Sequence, residues 1–345
     1  MSTQLSFDLP SRAALGRDDF FISPSNALAV VLIDTPESWN NGKLLLIGPK
    51  GAGKTHLAHV WAAQSGARII AANTLTEEDV PNLVQTLEGN PAFIHGGPFA
   101  NIAHGNSSLI ADRLALGAAD IVVTEAGFGS DMGAEKFMHI KAANSGKAPD
   151  CVVMNVTVRS MKLHGGAFGS RGGYRPSREE LDAEDIEAVK RGAQGNLDRH
   201  IRNMAGFGMP VIVSINRFTA DTDGELDALS AAARASGAHA VTLTEVHANG
   251  GKGGEPLAKA VVSAIQDHVA AGRPFTPLFL KDAPVMEKVN GIAKRIYKAE
   301  GVDVEAKAKK QLAAIESWGY GHLPVCMAKT HYSFSHDAGQ LGAPV

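Results

Sequence analysis

One segment restricts the possible folds of this 345-residue chain more than any other. Residues 48–55 read GPKGAGKT, which fits the G-x-x-x-x-G-K-[ST] phosphate-loop pattern. They follow the apolar run LLLI and precede the helix-like stretch THLAHVWAA. Such a loop works where a buried parallel strand leads into a helix. The segment therefore predicts an α/β fold with a mostly parallel sheet.

The loop residues also predict a chemistry. Glycines at Gly48, Gly51 and Gly53 would let consecutive backbone N–H groups turn toward phosphate oxygens. Lys54 would contact the β- and γ-phosphates as the catalytic cation, and the Thr55 hydroxyl would ligate Mg²⁺ at the positive end of the helix. We expect binding of a Mg-nucleotide. The alternative is a glycine-rich turn that carries Lys-Thr by coincidence.

The rest of the chain alternates between short apolar runs and longer helical patterns, which is typical of a parallel sheet with helices on both faces. The predicted strands are nearly all apolar, as expected for strands buried on both faces, and cover 43–47, 68–72, 119–124, 151–157, 210–215 and 238–244. The predicted helices cover 56–64, 107–116, 178–207, 224–235, 255–271 and 303–318.

Composition excludes several classes of protein. The 33 basic and 36 acidic side chains nearly balance, which argues against a nucleic-acid-binding surface. Two cysteines, Cys151 and Cys326, provide no disulfide framework and no zinc-binding spacing. The N-terminal residues lack the features of a signal peptide, and no apolar run is long enough to span a bilayer. We expect a cytoplasmic, enzyme-like globular protein without a membrane segment.

Residues 1 to about 81 resemble the start of a DnaA-type AAA+ initiator-regulator protein. The resemblance lies in DDFFISPSNALAVVLID and KLLLIGPKGAGKTHLAHVWAAQSGARIIAAN. Members of that group open with a sliding-clamp-binding peptide, and QLSFDL, from Gln4 to Leu9, is similar to one, although an ordinary N-terminal tail is the alternative. The family's Walker B pair, sensor residues and arginine finger do not follow. A non-enzymatic replication regulator that binds nucleotide and the clamp is the alternative function.

From about residue 82 the sequence resembles formate–tetrahydrofolate ligase instead. The motifs are NLVQTLEGNPAFIHGGPFANIAHGNSS, VTEAGFGSDMGAEKF, VIVSINRFTADT and LPVCMAKTHYSFS. The resemblance implies that formate attacks the γ-phosphate of ATP to give formyl phosphate, whose formyl group passes to tetrahydrofolate. It implies ATP, formate and tetrahydrofolate as substrates, Mg²⁺ as cofactor, and a possible homo-oligomer.

The glycine-rich motifs contain several candidate polar groups. Glu125, Asp131 and Glu135 follow a predicted strand, near the strand ends where open α/β sheets bind ligands. For Asp131 the alternative is capping of a helix N-terminus. His104, in IAHGNSS, could orient a substrate or serve as a hydrogen-bonded structural histidine.

The resemblance also implies a folate site. Family members sandwich the pterin between an aromatic residue after Asn-Arg and a tryptophan further along. Phe218 in INRF matches the first position. The tryptophan position falls in TEVHANGG, where this chain has His247, with Leu243 as a nearby apolar wall. Since imidazole offers less stacking area than indole, we expect weaker binding of the pterin.

The two resemblances predict a hybrid of two incomplete domains, residues 1–81 and 82–345, joined near Asp79 and Asn82. A foreign strand, phosphate loop and helix would replace the ligase's own nucleotide-binding region, and a C-terminal piece would also be missing. We therefore expect a ligase by descent, natural or engineered as a fusion, whose turnover has to be measured.

Overall fold

The computed structural model describes residues 16–24, 26–38, 53–67, 69, 81–96, 99–169, 176–330, 332, 334–337 and 339–342. The described residues up to 69 belong to one compact unit, and those from Pro81 onward belong to a second. The assignment of residues 1–81 and 82–345 to two different families stays a prediction.

The first unit contains helix α1, Ala27–Asp34, and helix α2, Lys54–Ser65. Their apolar faces enclose a small core of Phe20, Val30, Ile33, Leu57 and Val60. Gly53 precedes α2 in the left-handed region at φ 80°, and a Cβ there would lie 2.7 Å from the Phe20 ring. Glycine therefore allows Phe20 to pack against the first turn of α2.

Helix α2 confirms the predicted helix at 56–64 and begins two residues earlier. The predicted strand at 43–47 lies outside the described residues. Of the predicted strand at 68–72, only residue 69 is described. The strand that should lead into the phosphate loop thus stays a prediction.

The second unit opens with an antiparallel hairpin of β1, Asn82–Gln85, and β2, Pro91–Ile94, which sequence analysis did not predict. Gly89 supplies the positive φ of the connecting turn. Helix α3, Leu109–Leu116, follows, and the Ser108 hydroxyl caps it by accepting from the Ala111 N–H. This confirms the predicted helix at 107–116.

The predicted strand at 119–124 is wrong. These residues form no ladder in the structure, and only Ala126, just beyond them, makes a single bridge to Asn106. Ile121 and Val123 are 52% and 90% exposed. An apolar run becomes a buried strand only when neighbouring strands pair with it, and the described part of the second unit provides no such neighbour at this place.

Residues 130–145 form an irregular helix. Two π-helical segments, Ser130–Ala134 and Phe137–Ala142, lead into the short α4, Ala143–Ser145. The wider π-helical turn shifts the spacing of side chains away from 3.6 residues, and such turns are frequent at functional sites. Most of this segment is buried, including its acidic and basic residues.

A three-stranded parallel sheet forms the centre of the second unit. Its strands are β3, Val152–Val156, β4, Val211–Asn216, and β5, Ala240–Thr244, in the order β3-β4-β5. They confirm the predicted strands at 151–157, 210–215 and 238–244. The central strand is buried along almost its whole length because it has neighbours on both sides. The mixed α/β class with a parallel sheet is confirmed.

Helices connect and follow these strands. They are α5, Val158–His164; α6, Arg178–Asp182; α7, Ile186–Gly192, continued by a π-helical turn, Ala193–Leu197; α8, Asp198–Ala205; α9, Asp223–Ala235; α10, Val246–Asn249, continued by a 3-10 turn, Gly250–Gly254; α11, Glu255–Ala271; α12, Val285–Ile296; and α13, Ala306–Ser317. Helices α9, α11 and α13 confirm the predictions at 224–235, 255–271 and 303–318.

The single helix predicted at 178–207 is wrong. Ala183 has extended backbone at ψ 133°, which ends α6. Asp185 then starts a new helix, because its carboxylate accepts from the Ala188 N–H. The apolar periodicity continues across this break, so the hydrophobic pattern alone did not reveal it.

No helix in the described ranges combines the length and apolar character needed to cross a bilayer.

Cys151 and Cys326 are both free thiols. Burial raises the pKa of Cys151 to about 11, so this thiol stays protonated and unreactive at neutral pH.

A fully buried ion pair joins α5 to α9. Lys162 Nζ lies 2.6 Å from Glu225 Oε1, and their side chains are 1% and 0% exposed. Lys162 also donates to the carbonyl of Ala183 at 2.7 Å, and Glu225 accepts from the Asp185 N–H at 2.9 Å. Burial opposes ionisation of Glu225, but hydrogen bonds from Lys162 and the backbone outweigh it and hold the pKa of Glu225 below its ordinary value.

Lys162→Met should destabilise the protein by about 3–5 kcal/mol, because it leaves a buried carboxylate without its cation. Lys190→Met is the matched control, since Lys190 forms a similarly short but exposed pair with Glu187 at 2.7 Å. That change should cost less than about 1 kcal/mol. Urea unfolding of both variants measures the difference, and equal losses would contradict the structural role of the buried pair.

Candidate functional site

Three segments that are far apart in the sequence converge in the second unit. They are residues 100–106, 127–133 and 326–330. The Gly127 N–H donates to the Gly105 carbonyl at 2.8 Å, and the Lys329 N–H donates to the Asn101 carbonyl at 2.8 Å. Asn106 Nδ2 donates to the Gly133 carbonyl at 3.3 Å. The glycine-rich motifs found in the sequence therefore form one structural cluster.

Glycine is required where the first two segments meet. A Cβ at Gly105 would overlap Ala100, and one at Gly133 would overlap the backbone of Gly127. Phe128, between two glycines, has φ 60° and a ring that is 64% exposed. A bulky residue in the left-handed region is strained, and such strain is concentrated at functional sites.

Asp131 lies at the centre of this cluster and is 2% exposed. Its Oδ2 pairs with Lys329 Nζ at 2.9 Å, and its backbone carbonyl accepts from the Tyr297 hydroxyl at 2.6 Å. Its Oδ1 is buried and has no hydrogen-bond partner among the described residues. The alternative that Asp131 caps a helix is wrong, because its carboxylate is bonded to a lysine from a distant segment rather than to a helix N-terminus.

The other candidate acids lie in different surroundings. Glu135 is 1% exposed and accepts from His139 Nδ1 at 2.7 Å. Glu125 is exposed.

His104 Nδ1 accepts from the Asn106 N–H at 3.2 Å. Burial, together with the charges of Lys141 and Lys136, lowers the pKa of His104, so its imidazole is neutral at pH 7.

Two buried lysines in the cluster were not found by sequence analysis. Lys136 is fully buried and donates to the Ala100 carbonyl. Burial lowers its pKa from the ordinary value. Lys141 pairs with Asp112 at 2.7 Å and also donates to the Ser107 hydroxyl. Their positions in GAEKF and HIKAAN gave no signal, because their partners, the Ala100 carbonyl and Asp112, meet them only in the folded chain.

A histidine and a serine extend the cluster. His200 Nδ1 accepts from the Ser130 N–H at 3.2 Å and lies 2.7 Å from the Ser130 hydroxyl oxygen. Asn203 Nδ2 donates to that same oxygen at 3.1 Å. Burial lowers the pKa of His200 to about 4, although Asp131 opposes this shift. His200 therefore acts as a neutral hydrogen-bond acceptor at physiological pH.

Two more groups near Asp131 have shifted pKa values. Burial lowers the pKa of His164, whose Nδ1 has no partner among the described residues. Burial and the charge of Asp131 raise the pKa of Tyr297 well above its ordinary value. Perturbed pKa values and unsatisfied buried atoms together indicate a functional site.

The carboxyl edge of the parallel sheet positions the predicted folate residues. Asn216 pairs with Thr244 at the ends of β4 and β5, and Phe218 follows two residues later. His247 lies in α10, three residues after β5, and Leu243 lies within β5. Phe218 is 37% exposed and Leu243 is 40% exposed. Adjacent parallel strands thus bring these side chains to one edge, where α/β proteins bind ligands.

The loop after α10 is fixed by the hairpin. Glu88 Oε1, in the turn between β1 and β2, accepts from the Gly251 N–H at 2.7 Å. A Cβ at Gly251 would overlap the Glu88 carboxylate, so glycine permits this contact. The hairpin therefore helps to fix the loop that leads from His247 into α11.

The phosphate-loop residues lie in the first unit. Gly53 is the N-cap of α2, Lys54 is its first residue, and Thr55 is exposed. Gly48 and Gly51, and the clamp-like segment from Gln4 to Leu9, lie outside the described residues. The described residues contain no group of three or more His, Cys, Asp or Glu side chains suited to a metal ion.

His200 should make stability depend on pH. Its pKa is about 4 in the folded protein and 6.5 ordinarily, so the unfolded chain binds the proton more readily. The contribution of His200 to the free energy of unfolding is complete above pH 6.5. It is lost as pH falls toward 4, by about 3 kcal/mol.

His200→Gln should flatten this part of the profile, and denaturant unfolding between pH 4 and pH 7.5 provides the measurement. The exposed His322 gives the control His322→Gln, which should follow the unmodified protein. Parallel profiles for all three proteins would rule out a buried neutral His200.

Comparison with known proteins identifies relatives of this chain. The profile of the formate–tetrahydrofolate ligase family matches residues 52–345. Proteins named formate–tetrahydrofolate ligase are similar at 51% identity in Ruegeria sp. (strain TM1040) and 52% in Roseobacter denitrificans, each over 76% of this chain and 45% of the relative. The protein of that name in Symbiobacterium thermophilum is 48% identical over 79% of this chain and 47% of the relative.

The chain thus spans about half the length of the curated relatives it matches. The family match begins at residue 52 and so includes Gly53, Lys54 and Thr55, which the sequence resemblance placed in a DnaA-type segment. The DnaA-type resemblance and the replication-regulator alternative receive no support from these matches. Because the profile covers most of the chain, this protein belongs to the formate–tetrahydrofolate ligase family.

Proposed function

We propose that this chain catalyses the ATP-dependent formylation of tetrahydrofolate through formyl phosphate. The observation that carries the proposal is the convergence of residues 100–106, 127–133 and 326–330 around the buried Asp131–Lys329 pair. The family match and the name of the similar proteins support the same reaction.

In the first step a formate oxygen bonds to the γ-phosphorus of ATP, the bond from this phosphorus to the bridging oxygen breaks, and ADP leaves. We assign nucleotide binding to Gly48, Gly51, Gly53, Lys54 and Thr55. Lys54 and Thr55 begin α2, so they lie where the helix dipole favours phosphate. Mg²⁺, with Thr55 as its protein ligand, would supply charge neutralisation when bound.

In the second step the folate amine attacks the formyl carbon, the bond from this carbon to the phosphate oxygen breaks, and inorganic phosphate leaves. An anionic intermediate requires cations and backbone N–H groups near it. Lys136 and Lys329 lie beside the glycine segments and can supply positive electrostatic potential at the intermediate. Glycine at 127 and 129 lets the backbone approach a small ligand closely.

The pterin ring is proposed to bind at the carboxyl edge of the sheet. Phe218 offers an aromatic face, Leu243 an apolar wall and His247 a second flat ring. These side chains are partly or fully exposed, which leaves their surface available to a ligand. The imidazole of His247 provides a smaller face than the tryptophan that the family resemblance implies at this position.

Incubation of the purified chain with formate, tetrahydrofolate and Mg-ATP should yield formyltetrahydrofolate. Lys54→Ala should reduce the rate by a factor of about 100 or more, because it removes the cation that stabilises the transferring phosphoryl group. The exposed Lys309 on α13 gives the control Lys309→Ala, which should retain the rate. No product from folded protein, or product that is insensitive to Lys54→Ala, would overturn the proposal.

His247→Trp should strengthen binding of tetrahydrofolate about two- to tenfold, since a larger aromatic face adds stacking energy. Calorimetric titration with tetrahydrofolate measures the dissociation constant. His322→Trp, at another exposed histidine, shows how much a tryptophan adds without the site. If both tryptophans give the same change, His247 does not face the pterin.

A further inference from the structure

A cation covers one face of the aromatic ring in the proposed pterin site. The Arg159 guanidinium carbon lies 4.4 Å from the centroid of the Phe218 ring. Arg159 is the second residue of α5, directly beyond the carboxyl end of β3, and Phe218 follows the paired strand β4. The parallel pairing of β3 with β4 therefore brings these two side chains together.

The guanidinium is held in this position. Arg159 Nη2 donates to Asp182 Oδ1 at 2.7 Å, and each side chain is 29% exposed. Arg159 Nε is buried and has no hydrogen-bond partner among the described residues. A buried donor without a partner is costly, so a compensating contact is expected. The stack on Phe218 provides one, since a cation over an aromatic face is attracted by the ring quadrupole.

The backbone of Phe218 is fixed independently of its ring. The Phe218 N–H donates to Asp221 Oδ2 at 2.8 Å, and the Asp221 N–H donates back to the Phe218 carbonyl at 3.0 Å. Asp221 is 6% exposed, so this turn is well packed. Asp221 thus fixes the backbone from which the Phe218 ring extends, and the Arg159 guanidinium lies over the ring itself.

We infer that Arg159 is a positioning residue of the pterin site, which makes Phe218 a stacking platform with one available face. The inference rests on the proposed function. With one face occupied by the guanidinium, a planar ligand can stack only on the other. A ring held in one orientation also loses less freedom when the ligand binds, which favours affinity.

The test uses the full chain and tetrahydrofolate as the titrant. Arg159→Gln removes the cation and should weaken tetrahydrofolate binding about two- to fivefold, the effect expected of one cation–π contact. Arg178→Gln is the matched control. Arg178 approaches the same Asp182, at 3.5 Å, but is 92% exposed. It should leave the dissociation constant of tetrahydrofolate unchanged.

Phe218→Leu supplies the decisive comparison. Phe218→Leu alone should weaken tetrahydrofolate binding several-fold by removing the stacking face. If Arg159 acts through the ring, adding Arg159→Gln to Phe218→Leu should cause no further loss, since coupled residues are not additive. Arg159→Lys should restore part of the affinity, and the ATP dissociation constant should stay the same in every variant.

Each result bears on a different claim. Normal binding by Phe218→Leu would overturn the pterin site, and the inference with it. Weaker binding by Phe218→Leu but not by Arg159→Gln would overturn the inference alone. If Arg159→Gln weakens tetrahydrofolate binding equally in the unmodified chain and in the Phe218→Leu variant, Arg159 acts separately from the ring. That result would also overturn the inference. A parallel loss of ATP binding would also overturn the inference, because the effect of Arg159→Gln would then not be confined to the Phe218 ring.

Discussion

The ion pair between Asp131 and Lys329 holds the polar cluster together. It connects residues that are 198 positions apart, and both side chains are largely buried. A buried carboxylate without its cation would be strongly destabilising, so neither segment can move away from the other without cost. Close packing around Asp131 also requires glycine nearby. A Cβ at Gly129 would lie 2.6 Å from His200 Cε1 and 2.8 Å from Asp131 Oδ1.

The parallel sheet has a different role from the ion pair. Its three short strands bring the ends of β3, β4 and β5 to one edge, and so place Arg159, Phe218 and His247 on successive connections. Since the strands are parallel, every residue that follows a strand emerges on the same side. The proposed pterin site thus follows from topology, whereas the polar cluster depends on buried charges.

The sequence predicted those parts of the fold that depend on local pattern. The apolar runs of β3, β4 and β5 and the glycine-rich motifs were sufficient to indicate a parallel α/β protein. The strand predicted at 119–124 failed because pairing requires neighbours that an apolar run cannot specify. The Asp131–Lys329 pair, the buried Lys136 and the Arg159–Phe218 stack could not be predicted, because each depends on segments that meet only in the folded chain.

In the proposed pterin site His247 lies where the family resemblance implies a tryptophan, and this difference changes which contact matters most. A pterin between two aromatic faces shares its stacking energy between them, and an imidazole contributes less area than an indole. With His247 in that position, a larger part of the stacking must come from Phe218. The orientation of the Phe218 ring then has a greater effect on affinity than it would beside a tryptophan. On this proposal Arg159, whose guanidinium carbon lies 4.4 Å from the centroid of the Phe218 ring, compensates in part for the smaller second face.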